Sequence, residues 1–598
     1  MHKKISTSLV ASFLLATNLF SAQELESITV TSATKTSQSI KDVTSNIDVI
    51  TSEEIEAKHF TTVVEALNTI PGINFVSNGG MGKATSVYLR GMGSNQTLVL
   101  IDGIRYNDPT SSSGGAAFEH LMIGDIERIE VLKGPQSSVW GADASAGVIN
   151  IITKNAKEGT YGSIAVEYGS FDTKKVNATI SHKEKNFDAK LNVSRLDSDG
   201  FSSKAPKGKR VGDYEDDGYE NTSADLKLGY NFDENNRLEL NHKIINAKAE
   251  YDLGDPNSKD DLLRTKNNYS SVNYTNINDF AELKFYANNS KIKVEDPTGW
   301  TKDFNGSVQE YGANATVPYL HDSSFLLIGT DYKEFEHKDD FNKKYNNKAI
   351  YITNNNKFNN DNTILTQSLR LDSYDKFDNK TTGKIGIKQY IIDDLNVSSN
   401  YGTGYNVPTI YQLYTPFYGN ENLKPEKTKG YDFQIEYKGL STTYFNNQVE
   451  NLYGFDPFTY QSLNVDGKSK LKGYEIAYKK DVIEDLFLSI GYTHLSAKDS
   501  KQNRLLNRSD DKVNFAVDYY GISKLHLNLN GEYVGDRKAF GNIETGNYTL
   551  WNSVVNYEIN KTFSTYLKVD NIFNKYYQVI DGYATAERSA YVGLKASF

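Results

Sequence analysis

The sequence contains no cysteine, and this absence excludes disulfide bonds, thiolate metal sites, cysteine nucleophiles and a lipidated N-terminal cysteine. It also lacks an excess of positive charge, because 66 lysines and arginines stand against 76 acidic residues, for a net charge of −10. A nucleic-acid-binding surface needs a basic face, so this balance argues against nucleic acid as a partner.

Catalytic motifs are missing as well. The nine histidines show no metal-ligand spacing. No Gly-x-Ser-x-Gly elbow precedes a helical pattern, and no complete Gly-x-x-x-x-Gly-Lys-Ser/Thr loop for phosphate is present. The sequence therefore predicts a protein that is not an enzyme.

Long apolar runs are confined to the N-terminus. Residues 1–22 have the basic start and short apolar stretch of a secretory signal peptide, with cleavage expected after Ala22. Beyond this segment no run of about 18 apolar residues occurs, so no transmembrane helix is expected. The mean hydropathy of −0.56 suits an exported soluble protein, and it equally suits a barrel whose strands alternate lipid-facing and lumen-facing residues.

Tyrosine is abundant, with 41 residues against 28 phenylalanines and 3 tryptophans. Amphipathic tyrosine suits the aromatic girdles at the two edges of a membrane barrel. Composition alone leaves a tyrosine-rich secreted all-β protein equally open. The patterns along the chain decide between the two.

Residues 40–155 have a mixed α/β pattern. Val49-Ile50-Thr51 ends a strand, Ser52 is a candidate helix cap, and residues 61–67 form a second helix that stops before Pro71-Gly72. Three further strands are expected over residues 86–90, 97–101 and 128–132, with glycine-rich turns between them. This region is predicted to be a small globular domain.

The pattern changes over residues 156–598, where segments of roughly ten residues alternate apolar and polar side chains. Examples are residues 163–168, 224–230 and 238–244, and the polar turn 232–236 separates the last two. The chain ends on the aromatic residue Phe598. Period-two alternation with short and long connections predicts a large antiparallel membrane β-barrel, since a soluble β-sandwich rarely needs so many repeats.

Several motifs carry a family resemblance. Residues 27–33, Ser-Ile-Thr-Val-Thr-Ser-Ala, follow the signal as an extended, β-branched and unpaired segment that can add as a strand to a partner's sheet. Further motifs are Leu67–Ile73, Val87–Met92, Val99–Arg105, Ile126–Gly141, Ala146–Thr153, Gly419–Glu426 and Val569–Tyr577. Together they resemble the TonB-dependent outer-membrane receptor family from end to end.

This resemblance implies an all-β membrane protein of about 22 strands, with an N-terminal α/β plug domain inside the lumen. The implied divisions are a signal peptide at 1–22, a TonB-box segment at 23–39, a plug at 40–155 and a transmembrane barrel at 156–598. The implied TonB box is Ser27, Ile28, Thr29, Val30, Thr31, Ser32 and Ala33. The implied partners are TonB with its inner-membrane energy-coupling complex, a small-molecule ligand and outer-membrane lipid of a Gram-negative cell. A monomer is expected.

Within that family the chain is most similar to the cobalamin-transporter subgroup. Residues 401–408 with 412–414, Asn78–Gly82 and Gly582–Arg588 carry this similarity. In the subgroup, plug and barrel loops touch the corrin ligand with polar groups and with close backbone approaches. The residues at matching positions are Lys83, Ala84, Ser86, Gly93, Asn95, Ser111, Ser112 and Arg508.

An acidic loop suggests a calcium site. Asp213, Glu215 and Asp217 are spaced so that an extended segment places all three carboxylates on one face, and a hard cation such as Ca²⁺ would relieve their repulsion. An EF-hand is excluded because Ala224 occupies the twelfth loop position. The resemblance implies a structural Ca²⁺ in the extracellular loops, although Ser202 replaces one expected acidic ligand. The matching residues are Asp213, Glu215, Asp217, Tyr251, Asp252 and Asp261, with Asp260 as the alternative to Asp261.

Three charged plug residues, Arg90, Arg128 and Glu130, are interpreted as ion pairs that seat the plug against the barrel wall. The leading functional hypothesis is TonB-dependent import of cobalamin or a related corrinoid. The alternative is a ferric siderophore or haem receptor of the same architecture, and haem is disfavoured because no histidine stands near residues 419–426. A passive porin or adhesive barrel is less favoured, because neither needs a plug or a TonB box.

Overall fold

The computed structural model describes residues 28–258, 261–299, 303–320, 324–339, 341–456 and 458–598. The predicted signal peptide, residues 23–26, Ser27 of the predicted TonB box and the alternative calcium ligand Asp260 lie outside the described residues. Within the described ranges, none of the helices has the length and apolar character needed to cross a membrane.

The N-terminal domain is a mixed α/β plug. Its central sheet has five strands in the order β3-β8-β9-β6-β7, in which β6 and β9 run parallel and the other neighbours are antiparallel. Every residue of β6 is buried, as expected for an apolar strand covered on both faces. The plug elements are β1 (Thr29–Val30), β2 (Gln38–Ser39), β3 (Ile47–Thr51), α1 (Ser52–Lys58), α2 (Val63–Leu67), β4 (Ile73–Ser77), β5 (Thr85–Leu89), β6 (Thr97–Ile101), β7 (Ile104–Arg105), β8 (Ile126–Lys133), α3 (Ser137–Trp140) and β9 (Gly147–Thr153).

Threonine side chains cap the first two helices. The Thr51 hydroxyl accepts a 3.3 Å hydrogen bond from the Glu54 main-chain N–H, so the cap lies one residue before the predicted Ser52. Thr62 caps α2 in the same way through Glu65. Each cap satisfies one of the main-chain donors that a helix start leaves without a partner.

The remaining chain closes into an antiparallel barrel of 22 strands, which confirms the predicted fold class. The barrel closes where β10 pairs with β33, with Ser163 opposite Ser597. Its first twelve strands are β10 (Gly159–Gly169), β11 (Thr173–Glu184), β12 (Phe187–Ser198), β13 (Tyr219–Asn231), β14 (Asn236–Glu250), β15 (Leu262–Ile277), β16 (Glu282–Glu295), β17 (Asp303–Tyr319), β18 (Ser324–Lys338), β19 (Lys343–Phe358), β20 (Thr363–Tyr374) and β21 (Lys380–Ile392).

A short helix and a small hairpin interrupt the second half of the barrel. The helix lies between β22 and β23, and the hairpin strands β25 and β26 pair with each other outside the barrel. These elements are β22 (Leu395–Asn406), α4 (Ile410–Tyr414), β23 (Glu426–Tyr437), β24 (Leu440–Glu450), β25 (Tyr453–Phe455), β26 (Ser462–Asn464), β27 (Lys468–Ile483), β28 (Leu486–Lys498), β29 (Asp511–Ile522), β30 (Leu525–Val534), β31 (Tyr548–Glu558), β32 (Phe563–Asp570) and β33 (Ser589–Ser597).

Side-chain alternation along the strands separates the two faces of the barrel wall. On β10, Ile164, Val166 and Tyr168 are exposed on the outer face, whereas Glu167 is buried on the inner face. The connections differ between the two ends: 185–186 and 438–439 are two-residue turns, and 199–218 and 407–425 are long loops. Short turns face the periplasm and long loops face the exterior in outer-membrane barrels, which orients the molecule.

Ion pairs fasten the plug to the inner wall. The Arg90 guanidinium bonds the carboxylates of Glu475 at 3.0 Å and Asp432 at 3.2 Å, and lies 4.8 Å from the centre of the Phe445 ring. Lys133 adds a second contact to Glu475 at 3.2 Å. The interpretation of Arg90 as a plug-to-barrel ion pair is confirmed.

The same interpretation is wrong for Arg128 and Glu130. Arg128 pairs with Glu127 and Glu130, and all three residues lie on β8, so these ion pairs form within the plug. Glu130 instead accepts hydrogen bonds from the N-terminal segment of the chain.

Candidate ligand mouth and energy-coupling segment

Three plug loops reach the end of the barrel that carries the long connections. They are residues 78–84, 91–96 and 106–117, and together they contain every predicted ligand-contact residue of the plug except Ser86, which lies on β5. Ala84 and Ser112 are exposed, whereas Ser86, Gly93, Asn95 and Ser111 are partly buried. We call the extracellular opening of the barrel the mouth, and these residues form its floor.

The second and third of these loops contact each other. A Cβ added at Gly115 would lie 2.8 Å from Cβ of Ser94, and one at Gly114 would lie 3.8 Å from Cβ of Asn95. The distance at Gly115 is shorter than real Cβ atoms allow, so glycine is required there, whereas the distance at Gly114 is an ordinary van der Waals contact. The structure thus places Ser94 and Asn95 against Gly114 and Gly115, on the two loops that carry the predicted residues Gly93, Asn95, Ser111 and Ser112.

Barrel loop 407–425 holds the third plug loop in place. The Gln412 side chain donates a 3.0 Å hydrogen bond to the Ser112 carbonyl, and the Ile410 main-chain N–H donates to the Pro109 carbonyl at 3.0 Å. Thr409 caps α4 through a reciprocal pair of bonds with Gln412. The sequence shows Gln412 only as part of a motif, although the Thr-x-x-Gln spacing is a signal for this cap.

The side chain of Arg508, in barrel loop 499–510, contacts the plug. Its Nε donates a 2.9 Å hydrogen bond to the Gly91 carbonyl, and its guanidinium lies 4.2 Å from the centre of the Tyr88 ring. Burial lowers the pKa of this arginine, and the nearby Tyr88 opposes that shift. Arg508 thus joins a barrel loop to the plug beside Gly93.

Lys83 is directed away from the opening of the mouth. Its side chain is buried, and its ammonium donates to the carbonyls of Met81 at 3.1 Å and Asp217 at 3.2 Å. Burial lowers its pKa to about 8. In this conformation Lys83 contacts loop 199–218 of the barrel, so a ligand in the mouth would reach it only after a rearrangement.

Three carboxylates assemble beside this lysine. Oxygen atoms of Glu215, Asp217 and Asp252 lie within 4.8 Å of one another, across loops 199–218 and 251–261. Burial raises the pKa of Asp217 to about 6. Sequence reasoning named all three residues, and the structure brings them together.

The side chains of the other predicted metal ligands among the described residues are not part of this three-carboxylate cluster. Residues 211–213 form a turn of 3₁₀-helix, which breaks the extended alternation and leaves Asp213 exposed. The Tyr251 hydroxyl donates to Asp296 at 3.0 Å, and Asp261 accepts from the Leu253 N–H and the Ser258 hydroxyl, both at 2.9 Å. The expectation that Asp213, Glu215 and Asp217 share one face is therefore wrong at Asp213.

The three-carboxylate cluster fits a hard cation. Asp252 is fixed through one oxygen, Oδ2, which accepts from the hydroxyls of Ser202 at 3.0 Å and Ser203 at 3.1 Å. The second oxygen of Asp252 and Oδ1 of Asp217 are buried without a hydrogen-bond partner among the described residues. Buried oxygens of this kind are costly unless an ion or water satisfies them.

The predicted TonB box is folded against the plug. The sequence predicts an unpaired segment, whereas Thr29 and Val30 pair with Gln38 and Ser39. Val30, Ser32 and Ala33 are buried. Main-chain polar groups explain the packing, because Glu130 accepts from the N–H of Thr31 and Ser32, and Trp140 Nε1 donates to the Ser32 carbonyl at 2.8 Å.

Comparison with known families agrees with this geometry. Residues 160–572 match the family model described as TonB dependent receptor-like, beta-barrel, and residues 39–148 match the TonB-dependent receptor plug domain. The chain belongs to the TonB-dependent receptor family. A TonB-dependent receptor is an outer-membrane transporter, so this one lies in the outer membrane of a Gram-negative cell, works with TonB and takes up a small-molecule ligand.

Curated relatives of this receptor span its whole length. The chain is 27% identical over 621 residues to the vitamin B12 transporter BtuB of Photobacterium profundum, covering 99% of each chain. It is 28% identical over 637 residues to that of Vibrio vulnificus, covering 100% of each.

Solved structures share the fold of this receptor. The ferric enterobactin receptor PfeA of Pseudomonas aeruginosa has a TM-score of 0.80 at 20% identity, covering 92% of this chain and 98% of that one. The siderophore receptor PirA of Acinetobacter baumannii has a TM-score of 0.79 at 18% identity, with the same coverage. At this identity the likeness concerns the fold alone.

Proposed function

We propose that this TonB-dependent receptor imports cobalamin or a closely related corrinoid. The observation that carries the proposal is the end-to-end similarity to vitamin B12 transporters, which covers plug, barrel and loops alike. The siderophore receptors share the fold at lower identity. Their ferric siderophore is therefore the alternative cargo in the binding experiment described below.

The chemistry of the mouth supports a large cargo that is rich in amide groups. The plug residues that face the opening are uncharged, namely Ala84, Gly93, Asn95, Ser111 and Ser112. Hydroxyls, amides and exposed main chain pair with the carboxamides of a corrinoid. A ferric catecholate is an anion and would be better served by a cluster of arginines and lysines, but Lys83 is turned to the carboxylates of the barrel loops.

Calcium belongs to the same proposal. Glu215, Asp217 and Asp252 would hold Ca²⁺, and the hydroxyl of Ser202 lies beside them through its bond to Asp252. When bound, the ion would offset two of the three negative charges and stiffen two extracellular loops. The serines and the Lys204 N–H already fix Asp252, so part of the site is formed in advance.

Energy coupling completes the proposed mechanism. Residues 27–33 would be released from Glu130 and Trp140, and would then add as a strand to the sheet of TonB. The barrel has no energy source of its own, so the work would come from the inner-membrane complex through this strand. The buried Arg90 network would keep the rest of the plug seated against the barrel.

Equilibrium binding to the purified receptor tests the cargo. We expect cyanocobalamin to bind, and to bind more tightly with Ca²⁺ than with a chelator, while ferric enterobactin binds at least about a hundredfold more weakly, a difference of about 2.7 kcal/mol. The result that rejects the corrinoid is an absence of cyanocobalamin binding in both conditions. Tight binding of ferric enterobactin would establish the siderophore alternative.

Uptake by whole cells tests the coupling segment. Deletion of residues 27–33 should abolish uptake of labelled cyanocobalamin and leave binding at the cell surface unchanged. A matched control deletes residues 541–544, which are exposed in the loop between β30 and β31 and contain no part of the predicted TonB box or of the predicted ligand contacts. Continued uptake by the first variant would disprove the role of this segment.

A further inference from the structure

A lysine of the plug and carboxylates of the barrel share one buried region. The side chain of Lys83 is 3% exposed, and its ammonium donates to the main-chain carbonyl of Asp217 at 3.2 Å. The carboxylates of Asp217, Glu250, Asp252 and Glu215 all act electrostatically on it. One fixed positive charge therefore stands beside the oxygens that would hold a divalent cation.

The backbone of the plug fixes the position of this charge. Gly82 has φ of 75°, and a Cβ there would lie 2.0 Å from the Tyr219 ring, so the loop is pressed against β13. The carbonyl of Lys83 accepts a 2.8 Å hydrogen bond from the Thr85 hydroxyl. The main chain that carries Lys83 is thereby held against β13, and a movement of plug loop 78–84 would move the ammonium with it.

Lys83 offsets only part of the negative charge of the three-carboxylate cluster. Its single charge faces three carboxylates in the cluster, so a net negative charge remains to attract a cation. Oδ1 of Asp217 and Oδ1 of Asp252 have no hydrogen-bond partner among the described residues, so Lys83 does not satisfy them. A divalent ion would be coordinated by these oxygens, and the Lys83 ammonium would at the same time repel it.

We propose that Lys83 is an internal competitor of the divalent cation, and that metal occupancy of Glu215, Asp217 and Asp252 is thereby coupled to the position of the plug. Coupling is reciprocal, so the cation loosens plug loop 78–84, and withdrawal of that loop tightens cation binding. The inference rests on the calcium site of the proposed function and adds a link between that site and the plug.

Cation titration of the purified full-length receptor tests the competition. Tb³⁺ luminescence with displacement by Ca²⁺ gives the dissociation constant for Ca²⁺. Removal of the nearby positive charge in Lys83→Met should tighten Ca²⁺ binding about tenfold or more. The matched control is Lys204→Met, which removes a lysine of the same loop cluster whose ammonium bonds the Leu253 carbonyl at the surface. It should change the constant by less than about threefold, because solvent screens exposed charges.

A second readout follows the plug loop directly. Because the chain has no native cysteine, Ala84→Cys provides a single labelling site on the exposed side of this loop. Ca²⁺ should increase the mobility of a spin label at this position in the otherwise unchanged receptor. The increase should vanish when Asp217→Asn removes a metal ligand, and should be reduced when Lys83→Met removes the competing charge.

The outcomes separate the inference from the function on which it rests. If the receptor binds Ca²⁺ but Lys83→Met leaves the constant unchanged, or shifts it no more than Lys204→Met does, the competition is disproved while the calcium site stands. If neither the receptor nor Lys83→Met binds Ca²⁺ or Tb³⁺ at millimolar concentration, both the calcium site and the inference are overturned. Cyanocobalamin binding measured on the same samples reports the cargo proposal separately.

Discussion

The carboxylate of Glu130 accepts a 2.9 Å hydrogen bond from the main-chain N–H of Ser32, and a second, at 3.1 Å, from that of Thr31. Glu130 is fully buried, and Arg128 holds its other oxygen at 2.9 Å. A charged acceptor on two main-chain donors is stronger than a neutral one. This one contact therefore contributes to the burial of the predicted TonB box.

Loss of this carboxylate should expose the segment. In a receptor that carries Val30→Cys, the added change Glu130→Ala should raise the rate of thiol labelling about tenfold or more, since two charge-assisted hydrogen bonds are each worth about 1.5–3 kcal/mol. Glu127→Ala is the control, because Glu127 lies on the same strand and bonds Arg128 rather than the segment. Equal labelling rates in the two variants would show that Glu130 does not hold the segment.

Arg90→Met should destabilise the seating of the plug by about 3–5 kcal/mol, because it leaves the buried carboxylates of Glu475 and Asp432 without their main partner. Denaturant unfolding of the plug measures the loss. The added change Glu475→Gln should recover part of it. Arg195→Met, which breaks an exposed pair with Glu220, should cost less than about 1 kcal/mol. A similar cost for both arginines would contradict this assignment.

Arg508 should behave as a positioning residue of the mouth. Arg508→Met removes the bond to the Gly91 carbonyl and the contact with Tyr88, and should weaken cyanocobalamin binding about tenfold. Amide hydrogen exchange in loop 499–510 should rise at the same time. Arg508→Lys keeps the charge but not the planar fork, so it should restore only part of the affinity. Unchanged exchange in the loop would argue against a positioning role.

His120 should make the plug sensitive to acid. Burial, with a smaller effect of Lys83, lowers its pKa to about 4, below the value of about 6.5 for an unfolded chain. Between these values the unfolded state binds the proton and the folded state does not, so stability falls as pH falls, by up to about 1.4 kcal/mol per pH unit. His59 and Glu119 of the plug also have shifted pKa values, so the test is the difference in stability between the receptor and His120→Gln, measured by plug unfolding from pH 7 to pH 4.5. This difference should carry the slope, and a difference that does not change with pH would exclude His120 as its origin.

Local patterns in the sequence predict most of the fold. The strands of the barrel follow from period-two alternation, because a strand at a membrane must place apolar residues such as Ile164 and Val166 on its outer face whatever its neighbours are. The predicted plug strand 97–101 coincides with β6, an apolar run between glycine-rich turns.

The candidate site is predictable only in part. The sequence predicts that Glu215, Asp217 and Asp252 share a site, and the structure brings them together, but Asp213 is not part of the cluster because a local turn overrides the spacing.

The sequence by itself determined the receptor family, the small N-terminal domain and the large barrel, since these depend on periodicity and on motifs that are contiguous in the chain. The number of about 22 strands and the place of the plug in the lumen followed from the resemblance to that family. Only the tertiary structure decided which distant groups meet. Glu130 lies 98 residues from Ser32, and Lys83 lies 134 residues from Asp217. No local pattern encodes such pairs, because packing of the N-terminal segment on the plug brings the first pair together and enclosure of the plug by the barrel brings the second. The buried TonB box and the lysine beside the acidic cluster are therefore properties of the folded receptor.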